Sequence, residues 1–116
     1  GLLQGAIYEF CRLAESSSRL AVVSNGVYRH EEDGSNEWWF TGRDAVIFIQ
    51  EFKKMRTIKE AEVFTELKAM GAVNLPKWID KALGNKKLWV LDISEIDDDL
   101  ISAEEFKVTE EAKAWE

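Results

Sequence analysis

Residues 92–106, DISEIDDDLISAEEF, crowd five carboxylates between Asp92 and Asp99 and close on Ser102, Glu104 and Glu105. Carboxylates at this density suit three kinds of chemistry: calcium coordination, the capping of a helix start, or electrostatic docking of a cationic partner. An EF-hand loop needs oxygen ligands at positions 1, 3, 5 and 12 and a glycine at position 6. With Glu105 at position 12, position 3 is Ile96 and position 6 is Asp99. An isoleucine side chain has no oxygen to give and the turn glycine is missing, so calcium is rejected. Ser102 and Glu105 instead have the spacing of a capping box, in which each satisfies an otherwise orphaned amide. They are expected to open a last helix running towards Trp115.

Capping leaves Glu95, Asp97, Asp98 and Asp99 without a task, and Glu104, Glu105, Glu110, Glu111 and Glu116 continue their sign. Residues 88–116 carry ten acids against two bases, whereas residues 43–87 carry ten bases against six acids. The last quarter therefore more than accounts for the chain's net charge of −7. A solvated helix start tolerates such charge. A row of carboxylates can also steer a basic protein into contact or imitate the spacing of nucleic-acid phosphates.

The basic middle supports a different expectation. Residues 58–83 can be read as helix–turn–helix, with Lys77 and Lys81 on the second helix. Lys53, Lys54, Arg56, Lys59, Lys86 and Lys87 would then supply phosphate contacts. The connection is longer than the usual three or four residues, and the second helix lacks arginine, asparagine or glutamine to read bases.

Trp38 and Trp39 are adjacent, and neighbours on a strand point to opposite faces. If a sheet is covered on one side only, one indole faces outward, and Trp39 is the candidate aromatic anchor. A helix or terminus lying over it is the plainer alternative. His30, the only histidine, stands beside Glu31, Glu32 and Asp33 and reads as a surface turn residue with no nucleophile assigned to it. Cys11 reads as a small buried hydrophobe. One histidine and one cysteine leave too few nitrogen and sulfur ligands for a zinc site. The seven glycines are scattered rather than gathered in a phosphate loop. No enzyme, metal or cofactor is expected.

The elements that must position these residues follow from periodicity. Leu3, Ala6, Ile7, Phe10, Leu13 and Ala14 form a helical stripe over 3–15. Asn25-Gly26 between two β-prone runs predicts a hairpin of 19–24 and 27–31. Asp33-Gly34 gives a second turn, and residues 37–41 a third strand. Thr41 caps a helix bearing Ala45, Phe48, Ile49, Phe52 and Met55. Thr57 and Glu60 predict another capping box, with a helix through Val63, Phe64, Leu67 and Met70 that stops at Gly71. Pro76 is expected to start a short helix through Leu83, and residues 87–93 to form a strand.

The expected fold is α+β in the order α-β-β-β-α-α-α-β-α. It has a small antiparallel sheet, a three-stranded meander plus one later strand, with helices on one face. A length of 116 residues suits a single domain, 1–116, with residues 88–116 as its acidic strand–helix segment. The longest apolar run, 45–49, is far short of the about 20 residues that span a bilayer. The first residues do not read as a signal peptide, and an unpaired cysteine suits a reducing cytoplasmic setting. The leading functional expectation is a non-enzymatic acidic module that binds and inhibits a basic partner protein, as toxin-neutralising proteins and inhibitors of nucleic-acid enzymes do. The alternative is a nucleic-acid-binding regulator that uses residues 53–87.

Overall fold

The computed structural model describes residues 1–94, and the helix expected from Ser102 lies outside them. Over the described residues the fold is α+β, with three helices and a five-stranded mixed sheet. Helix α1 (Leu2–Leu13) leads into β1 (Glu15–Ser16), a 3₁₀ turn (Arg19–Val23), and the hairpin β2 (Val27–Glu32) and β3 (Ser35–Phe40). Helices α2 (Gly42–Phe52) and α3 (Glu60–Ala69) follow, then the hairpin β4 (Val73–Asp80) and β5 (Gly84–Asp92). The strand order is β1-β2-β3-β5-β4, with β1 parallel to β2 and every other pair antiparallel.

The sheet sorts its side chains by the two-residue period of a strand. Val27, Trp38, Phe40, Trp89 and Leu91 join Ala6, Ile7 and Phe10 of α1, Ala45 and Ile49 of α2, and Val63 and Leu67 of α3 in the main core. Tyr28, Trp39, Leu88 and Val90 point to the other face, where Val22 of the 3₁₀ turn and Ile79 complete a smaller second core. Residues 38–40 and 88–91 are accordingly buried throughout.

Local chemistry fixes the element ends. Thr41 Oγ1 accepts from the Asp44 amide at 3.2 Å and caps α2. Helix α3 starts later than Thr57. Its first turn is secured by Glu62, whose Oε1 accepts from the Lys59 amide at 3.4 Å, and Ile58 is buried ahead of it. At its far end the Ala72 amide donates to Leu67 O and the Gly71 amide to Lys68 O, with Gly71 at φ +88°. This pair of bonds is a Schellman stop.

Three expectations are corrected. Residues 19–23 are a 3₁₀ turn and not a strand, because Ser18 Oγ caps the Leu20 amide and the Ser24 and Gly26 amides fold back onto Ala21 O. The hairpin turn is therefore Asp33-Gly34, at φ +52° and +79°, the positive angles of a type I′ turn. Residues 73–80 are strand β4 and not a helix from Pro76. A proline fits because β4 lies at the sheet edge, where a missing amide proton costs little. With residues 19–23 out of the sheet, the expected three-stranded antiparallel meander shrinks to the β2–β3 hairpin. Beside it β5 and then β4 continue the sheet on one side, and the parallel two-residue β1 closes it on the other.

Candidate functional site

Strand register gives the sheet two electrically different ends. Pairing of Glu32 with Ser35 and of Glu37 with Asp92 brings Glu31, Glu32, Asp33, Glu37 and Asp92 to one end. Pairing of Lys77 with Lys86 and of Pro76 with Lys87 brings Lys77, Lys86 and Lys87 to the opposite end, where Lys81 sits in the β4–β5 turn. The acidic end is where the described chain finishes, since the Ile93 amide donates to Asn36 O at 2.9 Å. Asp92 Oδ1 accepts there from Ser94 Oγ at 2.6 Å and from the Ser94 amide at 2.8 Å. These two bonds hold the Asp92 carboxyl below the usual carboxylate range.

The acids expected to meet a partner, Glu95, Asp97, Asp98, Asp99, Glu104, Glu105, Glu110 and Glu111, lie outside the described residues. Trp39, expected as an outward-facing anchor, is only 3 % exposed. It pairs with Tyr28 and Val90 on the face opposite the helices, and the 3₁₀ turn covers it. Arg19, at the start of that turn, places its guanidinium carbon 5.4 Å from the Trp39 ring centre and 5.8 Å from the rings of Tyr28 and Trp78. One Arg19 nitrogen also donates to Trp78 O at 3.2 Å, and another stands 3.8 Å from Glu32. Lys77 Nζ lies 5.0 Å from the same indole. Cations over an indole face are attracted by its quadrupole.

His30 is a strand residue and not a turn residue. Its ring stacks on Trp39 with centroids 4.5 Å apart, and Nδ1 lies 3.2 Å from the Tyr28 hydroxyl. The arrangement packs a polar ring onto the rim of the second core, and the Trp39 Nε1–H is taken by Glu37 at 3.1 Å. Neither periodicity nor the residues next to His30 in the chain signal this stacking, which depends on the register of β2 against β3.

A polar cluster on the other face was also missed. Glu15 Oε2 accepts from Trp38 Nε1 at 2.8 Å and from Arg29 Nη1 at 3.1 Å. Arg29 Nε in turn donates to Asn36 Oδ1 at 2.7 Å and meets Glu31 at 3.1 Å. These contacts satisfy the buried indole N–H and pin the short β1 against β2. A cleft of about 420 Å³ lined by Glu15, Ser16, Ser17, Tyr28, Arg29, Glu31 and Glu32 opens beside them.

The basic residues do not assemble into a helix–turn–helix. Lys53, Lys54, Arg56 and Lys59 belong to the α2–α3 connection, whereas Lys77, Lys81, Lys86 and Lys87 belong to the β4–β5 hairpin. The second helix of that motif is absent because residues 73–80 pair with β5. Lys53 is engaged within the fold, its Nζ 2.8 Å from Glu9 Oε2 of α1. Cys11 is buried in the main core, where burial and the nearby Glu15 carboxylate push its thiol well above the ordinary range. Among the described residues no group of three or more His, Cys, Asp or Glu is placed to hold a metal ion, and no helix is long and apolar enough to cross a membrane. Comparison with protein-family models, with curated proteins and with solved structures gives no match.

Proposed function

We propose that the protein is a non-enzymatic acidic interaction module that binds and inhibits a basic partner protein. The contact surface comprises Glu95, Asp97, Asp98, Asp99, Glu104, Glu105, Glu110 and Glu111, continued by the acids of the β2–β3 hairpin. One observation carries this reading: Ser94 stands at the end of the sheet that already holds Glu31, Glu32, Asp33, Glu37 and Asp92. The carboxylates from Glu95 onward therefore follow in the chain directly from an acidic end of the fold. Arg29 and Arg19 offset part of that charge through Glu31 and Glu32, while Asp33 sits exposed at the hairpin tip. Lys53, a cation that could have clasped the acidic segment, is already committed to Glu9. Like charges gathered on one side of a small protein speed encounter with a cationic partner more than they deepen the final complex.

Capture experiments from the native host extract test this directly. The full chain and a variant with Asp97→Asn, Asp98→Asn and Asp99→Asn serve as the two baits. The intact chain should retain a basic protein that salt releases and whose activity falls on binding, and the variant should lose it. Identical captured sets would end this assignment.

A further inference from the structure

Helix α2 carries an exposed ridge with a basic residue near one end and an acidic residue near the other. Arg43, Ile47 and Glu51 fall at i, i+4 and i+8, one above another on one helix face, and all three are exposed. The next ridge, Asp44-Phe48-Phe52, borders a groove of about 490 Å³ shared with Phe10 and Leu13 of α1, with Ala14 just after it and with Asn25. Phe52 is 73 % exposed, Leu13 63 % and Ile47 43 %. Contiguous exposed apolar area of this kind marks an interaction surface.

The charges on the ridge identify the occupant. Arg43 and Glu51 flank Ile47 at equal distance along the helix, with opposite signs. If two α2 helices cross antiparallel about a two-fold axis at Ile47, each Arg43 meets Glu51 of the other copy and the two Ile47 side chains meet each other. The same operation carries Phe52 of one copy to the α2 N-terminal end of the other, where Asn25 and Asp44 line the groove. Among the described residues neither Arg43 nor Glu51 has an ion-pair partner. A self-complementary patch is the requirement of a two-fold interface, and crossing of i±4 ridges is a common way for helices to pack.

We propose that the protein forms a two-fold homodimer through α2, with Phe52 of each copy seated in the α1–α2 groove of the other. The interface uses none of the carboxylates assigned to partner binding, so it stands independently of that assignment. A dimer would present two acidic segments and so favour a partner with repeated basic sites.

Light scattering coupled to size-exclusion chromatography of the full chain, over a wide concentration range, is the test. The unaltered protein should show the mass of two chains, and Phe52→Asp that of one. Arg43→Glu and Glu51→Arg should each weaken the dimer about tenfold or more by setting like charges face to face, whereas the double variant R43E/E51R should restore it. All these positions are exposed, and an unchanged circular-dichroism melt confirms that each variant is folded. A one-chain mass for the unaltered protein would leave the groove to residues 95–116 or to another protein and would overturn the proposal. So would a Phe52→Asp dimer, or a double variant no tighter than the single ones.

Discussion

The guanidinium carbon of Arg19 stands 5.4 Å from the centre of the Trp39 indole and closes the outer face of the second core. A side chain from the 3₁₀ turn thus keeps a tryptophan on the sheet face opposite α1, α2 and α3 away from water. Arg19→Ala should cost about 1 kcal/mol, the scale of a partly desolvated cation–π contact, and should shift tryptophan fluorescence to the red. Arg19→Lys should recover only part of the loss, because an ammonium cannot lie flat across several rings. Urea titrations followed by fluorescence measure both effects. An Arg19→Ala variant as stable as the parent would remove the turn from the account of this core.

Lys77 and Lys86 are directly opposite on neighbouring strands. Like charges so placed destabilise a sheet by up to about 1 kcal/mol. Lys86→Glu should therefore raise stability by a few tenths of a kcal/mol or more at low salt. The gain should fade as salt screens the pair. Thermal melts at two ionic strengths would decide it, and a gain that ignores salt would point to another cause.

Two glycines predict different kinds of loss. A Cβ on Gly42 would run into Phe64, whose ring packs on Trp89 at the start of α2, and would come within 2.9 Å of Trp89 Nε1. Gly42→Ala should cost about 1–3 kcal/mol through overpacking, and the smaller ring space of Phe64→Leu should relieve it. A Cβ on Gly34 would meet nothing within 4 Å, but φ is +79° there. Gly34→Ala should cost about 1 kcal/mol through the backbone alone. No change in Phe64 could rescue it.

Burial raises the Cys11 thiol above its ordinary range. The unfolded chain therefore releases this proton at lower pH than the folded one. The thiol's contribution is fully present below the unfolded thiol pKa and is lost as pH rises from there through the folded value. The slope is at most about 1.4 kcal/mol per pH unit. Cys11→Ala should abolish that alkaline dependence, and a thiol reagent should label the parent only as it unfolds. Rapid labelling under native conditions would contradict the burial.

Much of the fold was legible because helical periodicity survives in the residues that face the core. Ala6, Ile7 and Phe10 of α1, Ala45 and Ile49 of α2, and Val63 and Leu67 of α3 are buried as their spacing requires. Thr41 caps α2 as its sequence indicates. The errors arose where short signals compete. Asn25-Gly26 and Asp33-Gly34 are both turn dipeptides, and only contacts to Ala21 turn the first into the exit of a 3₁₀ turn. Pro76 suits a helix start or an edge strand equally, and its pairing with Lys87 selects the strand. Alternation correctly put Trp38 and Trp39 on opposite faces. That Arg19 and Val22 cover Trp39 depends on chain packing that no local pattern encodes. At the candidate site, the split into an acidic and a basic sheet end follows from strand register and was legible only as an imbalance of composition.

Association kinetics of the captured basic partner test the central claim most directly. Its rate of binding to the full chain and to the variant with asparagine at 97, 98 and 99 should be measured across a range of ionic strength. Electrostatic docking by the acidic segment predicts a rate for the parent that falls steeply with salt, and a variant about tenfold slower at low salt that converges on the parent at high salt. Equal rates for parent and variant at every ionic strength would contradict it.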